Sequence, residues 1–433
     1  MILSDKKYFN EPYYGFFRIN YKGGLIILFS IILSIVTVNT GMSKYFYRFV
    51  ELPFKIGFGN ILIDHSFKSW VNNFIMPFFF FLMGLALKRE LIFLNNNLKK
   101  SIPLMITISL FLFLPLIFIK TFFKKFIISE ILYLLATDII LVMFVLNIFS
   151  AKINSEIKSY ILSFSIIINT ILMILIIRDH NREFNFYYFL MALSVFVYLI
   201  FFNIIKIKLT IIYLILAFII IFLFYIAGLN LSSISLLVAF IIPVNRKIRI
   251  KNFYNLINEN MKFFSSRDEK KVFLTNDQII AIDRMKIALD KVQGPLQYIE
   301  HSLHNLVVYL ILPIFVFINL GFSLDFGKNL SFVNIFILNF FVLLIKSLAF
   351  WLSIQFIKFL KLENPFPDNI LFNISISFIS SINLILAIFL LINTNSNVLI
   401  ITTSKISILI CCLIAIFLGV IFLFFSKKLE NKY

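Results

Sequence analysis

The chain has 433 residues, of which 61% are hydrophobic and only 14% are charged, and its mean hydropathy is +0.98. Ordinary soluble globular proteins contain about 25% charged residues, so the composition excludes that class. The formal net charge of +19 would suit a nucleic-acid partner in a soluble protein. In so apolar a chain it indicates basic loops that set the orientation in a membrane and contact anionic lipid, and we expect no nucleic-acid partner.

Apolar runs recur along the whole chain, and about 18–20 such residues suffice to cross a hydrocarbon layer about 30 Å thick. Lipid offers no partner to an open backbone, so each span should be a helix. The sequence therefore predicts an all-α polytopic membrane protein with about 12 transmembrane helices, although 70–87 starts in polar sequence and 228–243 is short. In chain order the spans are 25–42, 70–87, 102–119, 130–149, 159–177, 186–205, 209–226, 228–243, 305–323, 333–357, 370–392 and 406–425.

A long hydrophilic stretch, 244–300, separates eight predicted spans in 25–243 from four in 301–426, and the tails are 1–24 and 427–433. An even number of spans places both termini on one side of the membrane. Lys and Arg are concentrated in the segments on that side, which is the distribution expected of cytoplasmic segments. We therefore predict that both termini and the stretch 244–300 are cytoplasmic.

The stretch 244–300 contains 11 basic and 7 acidic residues. Thr275 or Asn276 could cap a helix that continues to about Lys291, because Gly294-Pro295 then stops it. Two roles are open for the stretch. It is either a solvated linker lying on the membrane face or a segment that regulates the protein and binds a partner.

Cysteine and histidine give no sign of a bound metal. Cys411 and Cys412 are adjacent inside an apolar run, a spacing that suits neither a disulfide framework nor a zinc site. The four histidines are scattered along the chain. We expect no cofactor.

Two charged residues lie inside predicted spans, Asp138 and Lys346. A charge inside a bilayer is costly and usually faces a cavity, so such residues are the first candidates for function. The two could pair across a polar cavity. That pair would either lock two helices together or form part of an ion or proton site.

Four blocks of the sequence resemble the NhaA-type sodium/proton antiporter family. The matching order and spacing extend over roughly residues 16–426. The blocks are 78–91 (FFFFLMGLALKREL), 136–139 (ATDI), 299–323, which begins IEHSLH, and Lys346 in the tenth span.

The resemblance implies an inverted-repeat fold in which the fourth and eleventh helices are discontinuous and cross at mid-membrane. It also implies a multi-pass protein of the bacterial inner membrane that exchanges internal Na⁺, or Li⁺, for external H⁺ and so regulates pH and sodium. Membrane lipid would surround it, and a homodimer is left open.

The resemblance also suggests roles for particular residues. Asp138 and Lys346 match the charged residues of the family's helix crossing, where the ends of half-helices carry partial charges. Thr137 matches a polar companion of the aspartate on the unwound stretch. Glu300 matches a glutamate near the family's pH-sensing cluster, which makes it our candidate pH-sensing residue.

The sequence departs from the family at the ion site. The family's two adjacent aspartates fall on Ile168 and Asn169, or on Asn169 and Thr170 with a slip of one residue, and neither pair contains an acid. We therefore expect a degenerate site, in which Asp138 exchanges cation and proton, Lys346 is its counter-charge, and Thr137 and Asn169 offer neutral oxygens.

Three further departures lie nearby. The glutamate of the first block is Ala86, and a histidine ahead of the eighth span is Asn230. The glycine-rich segment of the eleventh span is replaced by the serine-rich 375–381, which lacks the residue that most eases a helix break.

Three alternatives to exchange are open. The chain could be a transport-inactive homologue of the family, or a scaffold acting through 244–300. It could also be a lipid-linked transferase, a membrane enzyme that would need catalytic groups clustered at the interface. For that, the predicted external loops offer only Asp64-His65 and the charged run 178–183.

Overall fold

The computed structural model of the protein is almost entirely helical within the residues it describes. One antiparallel hairpin of two strands is the exception in those ranges. The described residues are 21–58, 61–95, 98–122, 132–149, 153–176, 184–205, 210–244, 248, 250–264, 274–323, 330–394 and 397–430.

Several consecutive helices are pieces of one span, joined by short turns of another helical type. The elements in chain order are α1 (Tyr21–Asn39), α2 (Ser43–Val50), β1 (Pro53–Phe58), β2 (Ile61–Ser66), α3 (Phe67–Trp70), a first π turn (Val71–Ile75), α4 (Met76–Asn95), α5 (Leu98–Phe122), a 3₁₀ turn (Leu132–Leu135), α6 (Ile139–Phe149), α7 (Ser155–Leu175), α8 (Phe186–Ile204), α9 (Thr210–Ile226), α10 (Leu231–Ala239), α11 (Ile250–Met261), α12 (Asn276–Val292), α13 (Pro295–Leu306), a second π turn (Val307–Ile311), α14 (Leu312–Leu320), α15 (Leu330–Phe359), α16 (Ile370–Ser380), α17 (Ile385–Thr394) and α18 (Val398–Glu430).

The helices confirm the prediction of a polytopic membrane protein. Among the described residues, 8 helical segments are long and apolar enough to cross a membrane, and the bent pair α16 and α17 makes a ninth. The predicted spans 186–205 and 209–226 appear as two shorter apolar helices. The weakest prediction, 228–243, corresponds to α10, which has only 9 residues.

The hairpin between α2 and α3 is an element that we did not predict. Its strands are antiparallel, with Lys55 opposite Asp64 and an ion pair of 2.8 Å between their side chains. Ser66 then caps α3 by accepting from the N–H of Ser69. The Gly59-Asn60 dipeptide between two apolar runs is the hairpin signal that could have been recognised in the sequence.

Two helices are broken in the middle, as the family resemblance implies. The first passes from the 3₁₀ turn through the non-helical residues 136–138 into α6. The second is interrupted at 381–384, and its halves α16 and α17 are bent by 42°. Each broken helix follows one continuous helix and precedes another, α5 and α7 in the first case and α15 and α18 in the second.

Close helix packing and buried amides hold the bundle together. Gly84 of α4 lies against α10, where a β-carbon would meet the backbone oxygen of Leu236, so a small residue is required for this approach. Asn72, in the first π turn, and Asn319, in α14, each donate an amide hydrogen to the other's oxygen, at 3.1 and 2.7 Å. These paired amides fix the register of two spans inside an apolar surrounding.

Candidate functional site

The two broken helices meet at their breaks and complete each other's backbone hydrogen bonding. The N–H of Asp138 donates to the carbonyl oxygen of Ile382 at 2.8 Å. The amide of Asn383 donates to the carbonyl oxygen of Leu134 at 3.2 Å. A buried peptide group without a partner costs free energy, and these bonds supply partners that an unbroken helix would have provided. The break at 381–384 therefore forms without glycine.

The carboxylate of Asp138 lies at the N-terminal ends of two half-helices. It accepts a hydrogen bond of 2.8 Å from the N–H of Ile385, the first residue of α17. It also accepts from the backbone N–H groups of Leu384, Ile140 and Leu141, the last two in the first turn of α6. Helix N-termini carry partial positive charge, so both half-helices stabilise a negative charge on this side chain.

Lys346 of α15 lies at the C-terminal ends of the first halves of the two broken helices. Its ammonium group donates to the carbonyl oxygens of Leu134 at 2.9 Å, Ala136 at 2.8 Å and Ser381 at 3.3 Å. These carbonyls terminate the first half of each broken helix, where the partial charge is negative. All three ammonium hydrogens are thereby used.

The predicted pairing of Asp138 and Lys346 across a polar cavity stays a prediction. Among the described residues, the structure contains no ion pair between these two side chains. Each binds backbone groups instead, Asp138 at the N-terminal ends of α6 and α17 and Lys346 at the C-terminal ends of the preceding halves. The four helix ends therefore lie next to these two charges and help to offset them.

Asn169 of α7 is clamped to the unwound stretch. Its Oδ1 accepts from the N–H of Thr137 at 3.1 Å and from the Thr137 hydroxyl at 3.4 Å, and its Nδ2 donates to the Thr137 carbonyl at 2.8 Å. The structure thus brings together three of the predicted site residues, Asp138, Thr137 and Asn169. Both polar atoms of the amide, however, are already hydrogen-bonded to the backbone of Thr137, and cation binding by Asn169 stays a prediction.

The other residues at positions where the family has an acid or a histidine are uncharged here. Ile168 is fully buried among apolar side chains. Thr170 donates its hydroxyl to the carbonyl of Ile166 in its own helix at 2.8 Å. Asn230 caps α10 by accepting from the N–H of Ser232 at 3.0 Å. Of the buried acids that the structure describes, Asp138 is the one that lies at the crossing.

A second polar cluster lies beside Lys346, and sequence reasoning missed it. The hydroxyl of Tyr133 is 3.4 Å from both Asn339 Oδ1 and Ser404 Oγ, and the amide of Asn339 donates to Ser407. All of these side chains are buried. Asn339 precedes Lys346 by seven residues, a spacing that returns to the same helix face, and this was the available signal.

A small cavity lies between this cluster and Lys346. It has room for about one water molecule, and two amides in its lining give such a water polar partners. The lining residues are Leu134, Asn339, Val342, Leu343, Lys346, Asn383, Ile408 and Cys411.

Glu300, in the middle of α13, lies in a separate ionic cluster. Its Oε1 is 2.5 Å from Arg89 Nη1, and Arg89 Nη2 is 3.6 Å from Glu90 Oε1. Glu90 Oε2 accepts from the Ser163 hydroxyl at 2.8 Å. Glu300 and Glu90 are 4% and 1% exposed, so their charges depend on these partners. A pH-sensing role of Glu300 stays a prediction, and its partners Arg89 and Glu90 were not predicted.

The groups that a membrane enzyme would need are not assembled in the hairpin. Asp64 pairs with Lys55, and His65 Nε2 shares a hydrogen bond of 2.7 Å with the hydroxyl of Tyr225. The charged run 178–183 lies outside the described residues. Within the described ranges, no three His, Cys, Asp or Glu side chains are grouped so that they could hold a metal ion.

The chain is similar to known proteins over most of its length. A family model described as Na⁺/H⁺ antiporter 1 matches residues 15–423. A relative in Aliarcobacter butzleri, "Na(+)/H(+) antiporter NhaA 1", is 24% identical over 306 residues, 70% of each chain. One in Saccharophagus degradans with the same name is 25% identical over 76% of this chain and 72% of its own. One in Bacteroides thetaiotaomicron, "Na(+)/H(+) antiporter NhaA", is 24% identical over 73% of this chain and 74% of its own.

Proposed function

The chain belongs to the Na⁺/H⁺ antiporter 1 family, and on that premise we propose that it exchanges Na⁺ for H⁺ across the bacterial inner membrane through a site reduced to one carboxyl group. The observation that carries this proposal is the position of Asp138. Its carboxylate is buried at the meeting point of two broken helices and accepts backbone hydrogen bonds from both.

The chemistry of exchange needs a group that holds either ion. A carboxylate binds Na⁺ through its oxygens and H⁺ by covalent protonation, and it cannot do both fully at once. Competition between the two ions at Asp138 would couple their opposite movements. The amide of Asn169 cannot take this part, because an amide oxygen can contact Na⁺ but carries no proton to release.

The surrounding residues would position the site. Lys346 holds the C-terminal ends of both first halves through three carbonyl oxygens and so keeps the crossing in register. Thr137, next to Asp138, carries a hydroxyl that could serve as a neutral ligand. Movement of one broken helix against the other would expose Asp138 to each side in turn, as in transporters built from discontinuous helices.

The proposed orientation places both termini and the stretch 244–300 in the cytoplasm and the hairpin of β1 and β2 outside. Support comes from the concentration of Lys and Arg in the segments assigned to the cytoplasm. With Na⁺ leaving and H⁺ entering, the exchange would lower internal sodium and acidify the interior.

The test is Na⁺-driven proton movement in vesicles containing the full chain and a pH-sensitive dye. We expect a signal with Na⁺ or Li⁺ and none with K⁺. Asp138→Asn should abolish the signal, and Asp64→Asn, a change in the exposed hairpin, should leave it unchanged. Exchange that persists in Asp138→Asn would overturn the assignment of the carrier.

One observation favours a second candidate, a transport-inactive homologue. The clamp between Asn169 and Thr137 uses the amide to hold the unwound stretch, and Ile168 adds no ligand. An inactive homologue would give no Na⁺ signal in the wild-type chain, even though the purified protein melts cooperatively. That result would favour a structural role for the crossing over transport.

A further inference from the structure

The helices α11 and α12 form a hairpin that projects from the end of α10 and returns at α13. Among the described residues, the two helices pack chiefly against each other. Gln278 of α12 donates its amide to the carbonyl of Phe263, which follows α11, at 3.3 Å. Thr275 and Gln278 form a capping box at the start of α12, as the predicted cap at Thr275 or Asn276 suggested. We call α11 and α12 the amphipathic hairpin.

Both ends of the amphipathic hairpin are fixed at the same place on the bundle. The N–H of Leu296, at the start of α13, donates to the carbonyl of Pro243, just after α10, at 3.2 Å. Leu296 is 1% exposed and packs in one apolar cluster with Leu85 of α4 and Val238 of α10. The hairpin therefore leaves and re-enters beside the ends of membrane-spanning helices, so its base lies at the membrane face.

The contact between the two helices buries mainly small or polar side chains of α12 and leaves large apolar side chains exposed. On α12 the side chains buried against α11 include only small or polar ones, Ala281, Ala288 and Gln278. On α11 an exposed row contains Ile250 at 60%, Tyr254 at 63% and Met261 at 55%. These positions fall on one side of the helix, since the spacing of 4 and 7 residues returns to the same face.

The second helix has exposed apolar rows of its own. Ile280 and Ile287, at 47% and 51%, are one heptad apart, as are Ile282 and Leu289, at 38% and 48%. Ile280 and Ile282 are two residues apart, about 200° around the helix axis, so the two rows lie on opposite sides of α12 and one of them adjoins the row on α11. Scattered exposed apolar side chains are ordinary, but adjoining rows on two neighbouring helices form a patch that marks an interaction surface. When such a patch lies beside a bilayer, the lipid can cover it.

The charges of the hairpin fit one kind of surface. Its exposed basic side chains are Lys251, Arg284 and Lys286, with Lys262 directly after α11, and its exposed acids are Glu259, Asp277 and Asp283. The whole stretch 244–300 has 11 basic against 7 acidic residues. Exposed apolar rows flanked by Lys and Arg are the pattern of helices that lie in the interface of anionic membranes. Basic residues near such a surface are attracted by its negative potential.

We propose that the amphipathic hairpin lies on the membrane from which it emerges, with the exposed row of α11 and the adjoining row of α12 between the headgroups, and that it binds anionic lipid. The occupant of the patch is the surface of the same bilayer. Contact would tie the hairpin, and with it α13, which carries Glu300, to the lipid composition of that leaflet. This inference does not depend on ion exchange.

The test uses single cysteines on opposite sides of α11 in the full chain. Met261→Cys lies in the exposed row and Glu259→Cys on the polar side, and both positions are exposed. The native Cys411 and Cys412 are 2% and 3% exposed, so an environment-sensitive thiol dye should label the introduced cysteine selectively. The labelled protein is placed in vesicles of zwitterionic lipid alone and in vesicles with added anionic lipid.

In anionic vesicles the dye at Met261→Cys should emit at shorter wavelength, be quenched by spin-labelled lipid and resist aqueous iodide several-fold better than the dye at Glu259→Cys. The difference should shrink in zwitterionic vesicles, and in a variant with Lys251, Lys262 and Lys286 all changed to Gln. Equal iodide access at the two positions in every vesicle would overturn the proposal.

Three further results would also contradict the proposal. Protection of Met261→Cys that grows with protein density and is insensitive to spin-labelled lipid would mean that a second copy covers the row. Protection that appears only after a soluble cell extract is added would mean that a soluble partner covers it. A difference that is the same with and without anionic lipid would contradict the anionic preference.

Discussion

The side-chain amide of Asn169 is bonded at both ends to the peptide groups of Thr137, accepting from its N–H at 3.1 Å and donating to its carbonyl at 2.8 Å. An amide is the side chain that can imitate a neighbouring peptide in this way, since it offers one donor and one acceptor in a plane. Asn169 thus does for the unwound stretch what the next turn of helix would have done.

The first prediction follows from this clamp. Asn169→Leu leaves a buried N–H and a buried carbonyl of Thr137 without partners, which should lower the free energy of unfolding by about 1–3 kcal/mol. Asn169→Asp should be milder at low pH, because a protonated carboxyl can still donate to the carbonyl. Thermal melting of the detergent-solubilised variants across pH checks both. A melting temperature of Asn169→Asp that does not change with pH would contradict the clamp.

The second prediction concerns Asp138 and Lys346. Because they bind opposite helix ends and not each other, removing both should not rescue either loss. Lys346→Met leaves three carbonyl oxygens unsatisfied and should cost about 3 kcal/mol. The double variant Asp138→Asn with Lys346→Met should melt below both single variants. A double variant as stable as Lys346→Met alone would show direct pairing.

The third prediction is about charge movement. One carboxyl at the crossing holds one Na⁺ or one H⁺ at a time, so each cycle moves one Na⁺ in one direction and one H⁺ in the other, and the exchange should be electroneutral. Clamping the membrane potential of the vesicles with K⁺ and valinomycin should leave the Na⁺-driven rate unchanged. Acceleration by an imposed potential would require a second proton-carrying group, and Glu300 would be the first residue to be mutated in a search for it.

The fourth prediction addresses the break at 381–384. The break is held by contacts with the other broken helix, so glycine is not needed there. Replacing Ser380 and Ser381 by Gly should change the melting temperature little beyond the loss of their hydroxyl bonds. Asn383→Leu removes the bond to the Leu134 carbonyl and should cost about 1 kcal/mol or more. The opposite ranking would show that local backbone preference governs the break.

The fifth prediction is topological. Lys55→Cys in the β hairpin and Glu259→Cys in the amphipathic hairpin should lie on opposite sides of the membrane. An impermeant thiol reagent applied to intact cells should label Lys55→Cys and leave Glu259→Cys unlabelled until the cells are opened. Labelling of Glu259→Cys from outside would reverse the proposed orientation.

Hydropathy was enough to locate the helices, because each span must satisfy its own backbone in lipid, and long apolar runs have few other uses. The same physics singled out Asp138 and Lys346. The spacing of residues along one chain could not show what these charges bind. Their partners are peptide groups from other helices, and a backbone carbonyl or N–H has no signature in the sequence.

The partners of the uncharged polar residues at the site could not be predicted from the sequence either. Asn169 was predicted as a cation ligand because an amide oxygen is a reasonable one, yet its geometry relative to Thr137 is set by the packing of α7 against the 3₁₀ turn and α6. Asn339 was visible as a polar residue in an apolar run, and only the structure joins it to Tyr133 and Ser404. The β hairpin was missed for a simpler reason, since its Gly59-Asn60 signal was overlooked.

The mutual completion of the two broken helices has a consequence for how the protein is made. The N–H group that Asp138 accepts from in α17 belongs to Ile385, which lies 247 residues further along the chain. During translation the first broken helix enters the membrane long before its complement exists. Its open peptide groups must stay hydrated or be shielded by the insertion machinery until the last spans emerge. Chains released early should therefore be recognised as unfinished at this crossing and degraded, whatever the state of their other helices.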